Sequence, residues 1–235
     1  MNKKRGLISF AMILTIVTGG TIAYKLNDFA ELESKNNLEK YEIIKEETGN
    51  ENIMEINSKC LLAKDYKKIE TLEEEADLIV VAELEEIEGC TNYNEKAKEY
   101  MMIHTLGTLR INEVIKGNVE ENEVIPFING GGTISYAEYE KGLLPAQKEK
   151  NGNVFKTFST REKANFQVKQ KIGNNIEIED GKQYLMFLRY DEQFDRYATV
   201  GLGYGIREYN ETTNTYKNNN TGEFEVLNVE ELSIQ

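Results

Sequence analysis

The feature that most constrains this chain is an uncharged apolar run near its N-terminus. Gly6 to Tyr24 carries no charge over 19 residues, and Lys3, Lys4 and Arg5 stand directly before it. At about 1.5 Å per residue, a helix of this length spans roughly 28 Å, close to the roughly 30 Å hydrocarbon core of a membrane. The basic flank favours a cytoplasmic N-terminus. Residues 1–24 are therefore predicted to form a transmembrane anchor with the rest of the chain outside the cytoplasm.

A cleaved signal peptide is the alternative for the same run. Thr21-Ile22-Ala23 has the small residues of a passable cleavage site. We therefore expect either a single-pass membrane protein with an extracellular domain or, after cleavage, a secreted protein.

The charge balance restricts the partners of the exported part. The whole chain carries a formal net charge of −13, and without the three N-terminal cations 25 basic residues face 41 acidic ones. An acidic surface repels phosphates, so we expect no nucleic-acid partner.

The remaining chain divides into a stalk and one domain. Residues 25–57 are charged and poor in strand formers, and Phe29, Leu32, Tyr41 and Ile44 have rough helical spacing. This pattern predicts a partly helical stalk over 25–57, and the length of 58–235 fits a single domain.

The domain reads as mainly β. Leu78–Ala82 is apolar at every position, which predicts a strand covered on both faces. A long strand is predicted over 100–115, with Gly107 as a bend, and another over Gln183–Tyr190. Curved strands and glycine corners favour a closed or nearly closed barrel, with a two-sheet β-sandwich as the alternative.

Two capping boxes predict short helices between the strands. Thr71-Leu72-Glu73-Glu74 and Ser135-Tyr136-Ala137-Glu138 both place a hydroxyl three residues before a glutamate. We expect helices beginning at Thr71 and Ser135, within a total of two or three.

Four segments carry a resemblance to a known family. They are Glu74–Glu83, Val114–Asn118, Asn129–Gly131 and Glu179–Leu188, the last reading EDGKQYLMFL. Their order is similar to that of uncharacterised exported proteins of Gram-positive bacteria, which resemble OB-type β-barrels of the netrin/TIMP-like kind. The resemblance covers about residues 68–230 and implies an OB-like barrel in an extracellular setting, without an activity.

The same resemblance bears on protease inhibition. TIMP-like inhibitors use an N-terminal cysteine whose amine and carbonyl bind the metal of the protease. Cys60 lies well inside this chain, so that device is absent from the sequence.

Catalytic and metal signals are weak. His104, the only histidine, has no nucleophile-elbow pattern beside it, so we expect a core or surface residue. Acidic residues are abundant, but they show neither a glycosidase pair nor a calcium loop. They are Glu83, Glu85, Glu86, Glu120, Glu121, Asp191 and Asp195. We expect no cofactor, no metal and no enzymatic activity.

Two glycine runs can be interpreted either as tight backbone turns or crossings or as ligand-binding loops. Gly130–Gly132 lacks the lysine of a P-loop, so either a tight turn or a weak anion site fits it. Gly201–Ile206 fails the dinucleotide fingerprint at its last position, which favours bent strands that cross closely.

The two cysteines are a candidate disulfide. Cys60 and Cys90 would close a loop of about 30 residues, for which the chain-entropy model gives roughly 3–4 kcal/mol. Two separate thiols are the alternative.

A basic insertion is the sharpest functional hint. Residues 141–175 contain eight basic residues against Glu149 and Glu162, with phenylalanines interleaved. The residues proposed to contact an anionic partner are Lys148, Lys150, Lys156, Arg161 and Lys163. Such a segment fits an envelope polymer, anionic lipid or protein partner, or folds back onto the acidic domain.

These observations favour a membrane-tethered, non-catalytic binding module. A secreted hydrolase with an unrecognised site and an inhibitor of an exported protease are the alternatives.

Overall fold

A computed structural model of the chain describes residues 42–45, 52–154, 159–161, 165–219 and 221–226. This part of the chain is mainly β, with strands in two sheets and three α-helices. The strands are β1 (Glu42–Lys45), β2 (Asn52–Ser58), β3 (Leu78–Asn94), β4 (Glu99–Lys116), β5 (Val124–Gly130), β6 (Gly132–Ser135), β7 (Phe166–Ile172), β8 (Gln183–Asp191), β9 (Arg196–Thr199), β10 (Ile206–Asn210), β11 (Thr215–Lys217) and β12 (Phe224–Val226). The helices are α1 (Ile69–Glu75), α2 (Tyr136–Lys141) and α3 (Pro145–Val154), and a short 3-10 helix spans Leu202–Gly205.

The predicted membrane segment is not among the described residues. Residues 1–24 lie outside them, and no helix within them is long and apolar enough to cross a membrane.

The larger sheet has the strand order β12-β11-β10-β8-β3-β4-β5-β9. Its last strand, β9, also pairs with β8, so the pairing of β8, β3, β4, β5 and β9 returns to its starting strand. Ala198 makes this connection, because it lies opposite Ile128 of β5 in a parallel pair and opposite Arg189 of β8 in an antiparallel pair. The other neighbouring pairs in this group are antiparallel.

The first five residues of β3, Leu78–Ala82, and the centre of β8 are buried on both faces, as the apolar run predicts. Side chains alternate across a strand, so Ile79 and Phe187 enter one core cluster while Val80 and Met186 enter another. The first cluster includes Leu72 of helix α1 and Ala76, the residue that caps its C-terminus. The second cluster joins β3 and β8 to apolar side chains of β4 and β5, namely Leu109, Ile111, Ile125 and Phe127.

A smaller sheet, with the order β1-β2-β7-β6, covers the far end of the β3–β4 ribbon. Strands β2 and β7 are parallel, and their side chains Met54, Ile56, Phe166 and Val168 pack with Ile103 of β4.

This sheet corrects the predicted stalk and part of the basic insertion. Residues 52–57, assigned to the stalk, belong to strand β2, and Glu42–Lys45 is a strand where helical spacing had suggested a helix. Met54 and Ile56 alternate with polar residues, and this two-residue period outweighed the charge of the segment. Strand β7 likewise lies inside the predicted basic loop. The rest of the predicted helical stalk lies outside the described residues.

The two capping boxes have different outcomes. Ser135 Oγ accepts a hydrogen bond from the Glu138 N–H at 3.2 Å, so the second box is confirmed as the start of α2. Helix α1 begins at Ile69, and Lys68 precedes it without a side-chain cap, so the prediction of a start at Thr71 is wrong by two residues.

Candidate functional site

The predicted anionic-partner residues fall into three groups. Lys148 and Arg161 are exposed to solvent. Lys150 belongs to helix α3, but its side chain is not described, and Lys156 and Lys163 lie outside the described residues. Of the five residues proposed to contact an anionic partner, the structure therefore describes the side chains of two, Lys148 and Arg161.

Other cations of the insertion pair with the acidic domain. Lys141 lies 2.6 Å from Glu138, and Lys169 lies 2.7 Å from Glu177. Lys171 also pairs, at 3.1 Å from Glu55 of β2. Much of the basic charge at the two ends of this segment therefore balances the domain's own carboxylates.

Both cysteines are free in this structure, so the candidate disulfide is not formed. Cys90 on β3 lies 3.5 Å from the Thr105 hydroxyl, beneath the smaller sheet. Cys60 follows β2, beside Gly173 at the end of β7. Cys90 packs against the core of the smaller sheet, whereas Cys60 lies beyond the end of β2.

The first glycine run joins the two sheets. The Gly131 N–H donates to the Ile103 carbonyl at 2.8 Å, and Gly132 already pairs with Gln170. A Cβ atom on Gly132, whose φ is +134°, would come within 2.6 Å of the Thr105 hydroxyl. The run is therefore a close connection between β5 and β6 with its central N–H engaged, which favours the structural interpretation over an anion site.

The second glycine run makes the expected close backbone approaches, but in a turn and a 3-10 helix where bent strands were predicted. Gly201 has a φ of +66° and begins the turn into the 3-10 helix. Cβ atoms at Gly203 and Gly205 would overlap the carbonyl oxygens of Asn174 and Val200.

Three of the seven candidate carboxylates, those of Glu85, Asp191 and Asp195, make structural contacts within the described residues. Glu85 pairs with the guanidinium of Arg110 through both oxygens. Burial raises the pKa of Asp191, while one of its oxygens accepts the N–H groups of Gln193 and Phe194 at 2.8 and 3.4 Å. Among the described residues, no group of three or more His, Cys, Asp or Glu side chains could hold a metal ion.

An open groove lies beside β10. Its lining includes Glu83, Lys182, Glu208, Glu211 and the exposed ring of Phe224. Lys182 lies 3.8 Å from Glu208 and 3.1 Å from Glu179, so part of this acidic lining is neutralised.

His104 lies on β4, packed against an aromatic ring of the β8–β9 turn. The ring centroids of His104 and Phe194 are 5.0 Å apart. Burial lowers the pKa of His104 to about 4, and the nearby Met102 backbone offsets this only in part. Because the described protein gives Nδ1 no hydrogen-bond partner, this imidazole is neutral at physiological pH and serves as a packing group.

The neutral His104 should make stability depend on pH. In the unfolded chain its pKa is near 6.5, so the unfolded state gains a proton first as the pH falls. Full stability is expected above pH 6.5, with a loss of about 2 kcal/mol by pH 5. Urea unfolding at pH 7 and pH 5 measures this, and His104→Gln should show a smaller loss. An equal loss in both proteins would contradict the assignment, since His104 is the only histidine.

Sequence reasoning missed the place where two turns meet. Lys96, in the β3–β4 turn, donates to the Glu192 carbonyl at 2.7 Å and lies 3.8 Å from Asp195, both in the β8–β9 turn. Asp195 also accepts the hydroxyl hydrogen of Tyr190. The two turns are thus tied together at one end of the larger sheet.

Tyrosine rings flank this junction. Tyr93 and Tyr100 stand 4.9 Å apart at the base of the first turn, and Tyr190 and Tyr197 stand 5.3 Å apart at the base of the second. Tyr100 is 43% exposed and Tyr190 is 38% exposed. We call this surface the tip patch: Tyr93, Lys96, Tyr100, Tyr190, Asp195 and Tyr197.

No protein-family model matches the sequence, and no curated protein matches it.

Proposed function

We propose that the ring of β3, β4, β5, β8 and β9 is an OB-like barrel of the netrin/TIMP-like kind. OB folds are five-stranded barrels whose ligands bind across one strand face and the loops that join strands 1–2 and 4–5. The return of pairing from β9 to β8 supports this assignment, as does the parallel pair β5–β9, the only parallel pair among these five strands. The two corresponding loops here are the β3–β4 and β8–β9 turns, which meet at Lys96.

The proposed setting is the outer side of a cell membrane. Its support is the apolar run Gly6–Tyr24 with its basic flank, read as an anchor or, alternatively, as a cleaved signal. In either case the acidic domain works outside the cytoplasm.

The proposed function is non-catalytic binding of a cell-envelope glycan at the tip patch. Tyrosine combines an apolar face with a polar tip, which suits the alternating apolar and hydroxylated surfaces of a sugar chain. The exposed rings of Tyr100 and Tyr190, with Lys96 and Asp195 between the two turns, are the observation that carries this proposal. The step from an OB-like fold to a glycan is analogy, so the site and not the fold must be tested.

The basic insertion is proposed as a second, electrostatic contact. Lys148 and Arg161 are exposed in an otherwise acidic domain and can meet the anionic polymers of the envelope. Contacts between exposed charges weaken as salt rises, which separates this contribution from that of the tyrosines.

Retention of the full-length protein on purified peptidoglycan sacculi tests the proposal. Replacing both Tyr100 and Tyr190 with alanine should weaken retention roughly tenfold or more, since each ring that a ligand covers contributes about 1 kcal/mol or more. This loss should persist at high salt. Phe224→Ala removes a ring that is 51% exposed but lies on β12, outside the tip patch, and should retain parental binding. Equal retention of parent and tyrosine variant would reject the tip patch as the binding site.

A further inference from the structure

The β8–β9 turn lies over one face of β4. Along β4, Ile103, Leu109 and Ile111 are buried in the domain, so Met102 and His104 point to the opposite, outer face. The ring of Phe194 covers that face at His104. We call residues 192–195 the strap.

Hydrogen bonds to Asp191 fix the conformation of the strap. The Asp191 carboxylate accepts the N–H groups of Gln193 and Phe194, which fixes the turn without holding it to the rest of the domain. Asp195 ends the strap with a φ of +59°, in the left-handed region.

Contacts with β3–β4 hold the strap down. Lys96 donates to the Glu192 carbonyl and pairs with Asp195, and Phe194 packs on His104. The Lys96 side chain is 57% exposed, so solvent competes for its contacts. Beneath the strap, His104 Nδ1 is buried and has no hydrogen-bond partner among the described residues. A buried polar atom without a partner costs free energy, which makes the closed strap less stable.

Firm contacts secure the strand ends beside the strap. Asp191 pairs with Arg196 across the hairpin, and both oxygens of Glu88 bind the Arg196 guanidinium at 3.1 and 2.6 Å. Arg196 also donates to the Gly107 carbonyl at 3.0 Å. Movement of the strap can therefore be confined to the turn, while β8 and β9 stay paired.

We propose that the strap is a cover that regulates binding: when the Lys96 contacts break, it lifts and exposes the outer face of β4 at His104 as an extension of the tip patch. The inference deepens the proposed function and rests on it. This regulation requires that the strap has a closed state, which covers part of the binding surface, and an open state, which exposes it.

The single histidine makes opening measurable. Diethyl pyrocarbonate modifies an accessible neutral imidazole, and His104 is the only histidine in the chain. With the full-length protein at pH 7, Lys96→Ala should raise the modification rate about threefold to tenfold, because a partly exposed, charge-assisted hydrogen bond holds the strap. Phe194→Ala should raise it at least as much.

Lys98→Ala is the matched control. Lys98 lies in the same turn and carries the same charge, but it pairs with Glu95 within that turn. Its variant should react at the parental rate, and thermal unfolding of all variants checks that reactivity does not come from global unfolding. Equal rates for Lys96→Ala and Lys98→Ala, in folded proteins, would overturn the strap.

Retention on sacculi separates this inference from the proposed function. If the strap covers binding surface, Phe194→Ala should bind sacculi more tightly than the parent, because closure no longer competes with binding. Retention at or below the parental level in Phe194→Ala would overturn the regulatory role, even while the tyrosine variants still support the tip patch. Loss of the tyrosine dependence would instead reject the proposed function.

Discussion

Replacing Phe187 with alanine should lower the free energy of unfolding by about 3–5 kcal/mol. Phe187 is fully buried on β8, between the sheet and the cover formed by helix α1. The guanidinium of Arg207, itself buried, lies 5.7 Å from the centre of its ring. Truncation leaves a cavity and also removes one aromatic neighbour of a buried charge. Urea unfolding monitored by far-ultraviolet circular dichroism measures the effect.

An exposed apolar residue provides the control. Val226 is 71% exposed on β12, so Val226→Ala should change the free energy of unfolding by less than about 0.5 kcal/mol. Comparable small effects of both substitutions would mean that the second face of β8 is not covered, which contradicts the packing described above.

Gly107→Ala should destabilise the domain by about 2–3 kcal/mol. Strands β3 and β4 approach so closely here that a Cβ atom on Gly107 would overlap the carbonyl oxygen of Glu86. A backbone atom cannot rotate away as a side chain can, so the ribbon must shift at an irregularity in its pairing. Thermal and urea unfolding of the variant measure the cost.

The adjacent residue tests the specificity of that effect. Thr108 is half-buried and points to the other face of β4, opposite Pro126 of β5. Thr108→Ala should cost less than about 1 kcal/mol. A Gly107→Ala variant as stable as Thr108→Ala would show that the two strands have more room than the structure gives them.

The best sequence predictions rested on local patterns. Leu78–Ala82 is apolar at every position, and a strand with this pattern must be covered on both sides. Ser135 caps a helix by a bond that reaches only three residues, so the sequence contains both partners. Gly107 was expected where the ribbon bends, and its lack of a side chain is required there by the Glu86 carbonyl.

The predicted stalk and basic loop failed in part because charge was taken as a sign of exposure. Lysines and glutamates flank Met54 and Val168, yet both side chains are buried because β2 and β7 pair in the smaller sheet. Parallel pairing joins segments more than a hundred residues apart, and composition within either segment does not reveal the other.

The tip patch lay beyond sequence reasoning for a similar reason. Lys96 and Glu192 are separated by 96 positions, and neither turn has a motif that indicates its partner. The tyrosines at the base of each turn were visible in the sequence, but their significance depends on the meeting of the turns. The anchor and the non-catalytic character stay predictions, and the glycan ligand is proposed from the tip patch alone.

The ring of strands closes because β9 pairs with both β5 and β8, and Ala198 tests this closure most directly. Nuclear Overhauser contacts from the backbone of Ala198 should reach both Ile128 on β5 and Arg189 on β8, in a parallel and an antiparallel pattern respectively. Contacts to Arg189 alone would leave β5 as a free edge and would contradict both the ring of strands and the OB-like assignment built on it.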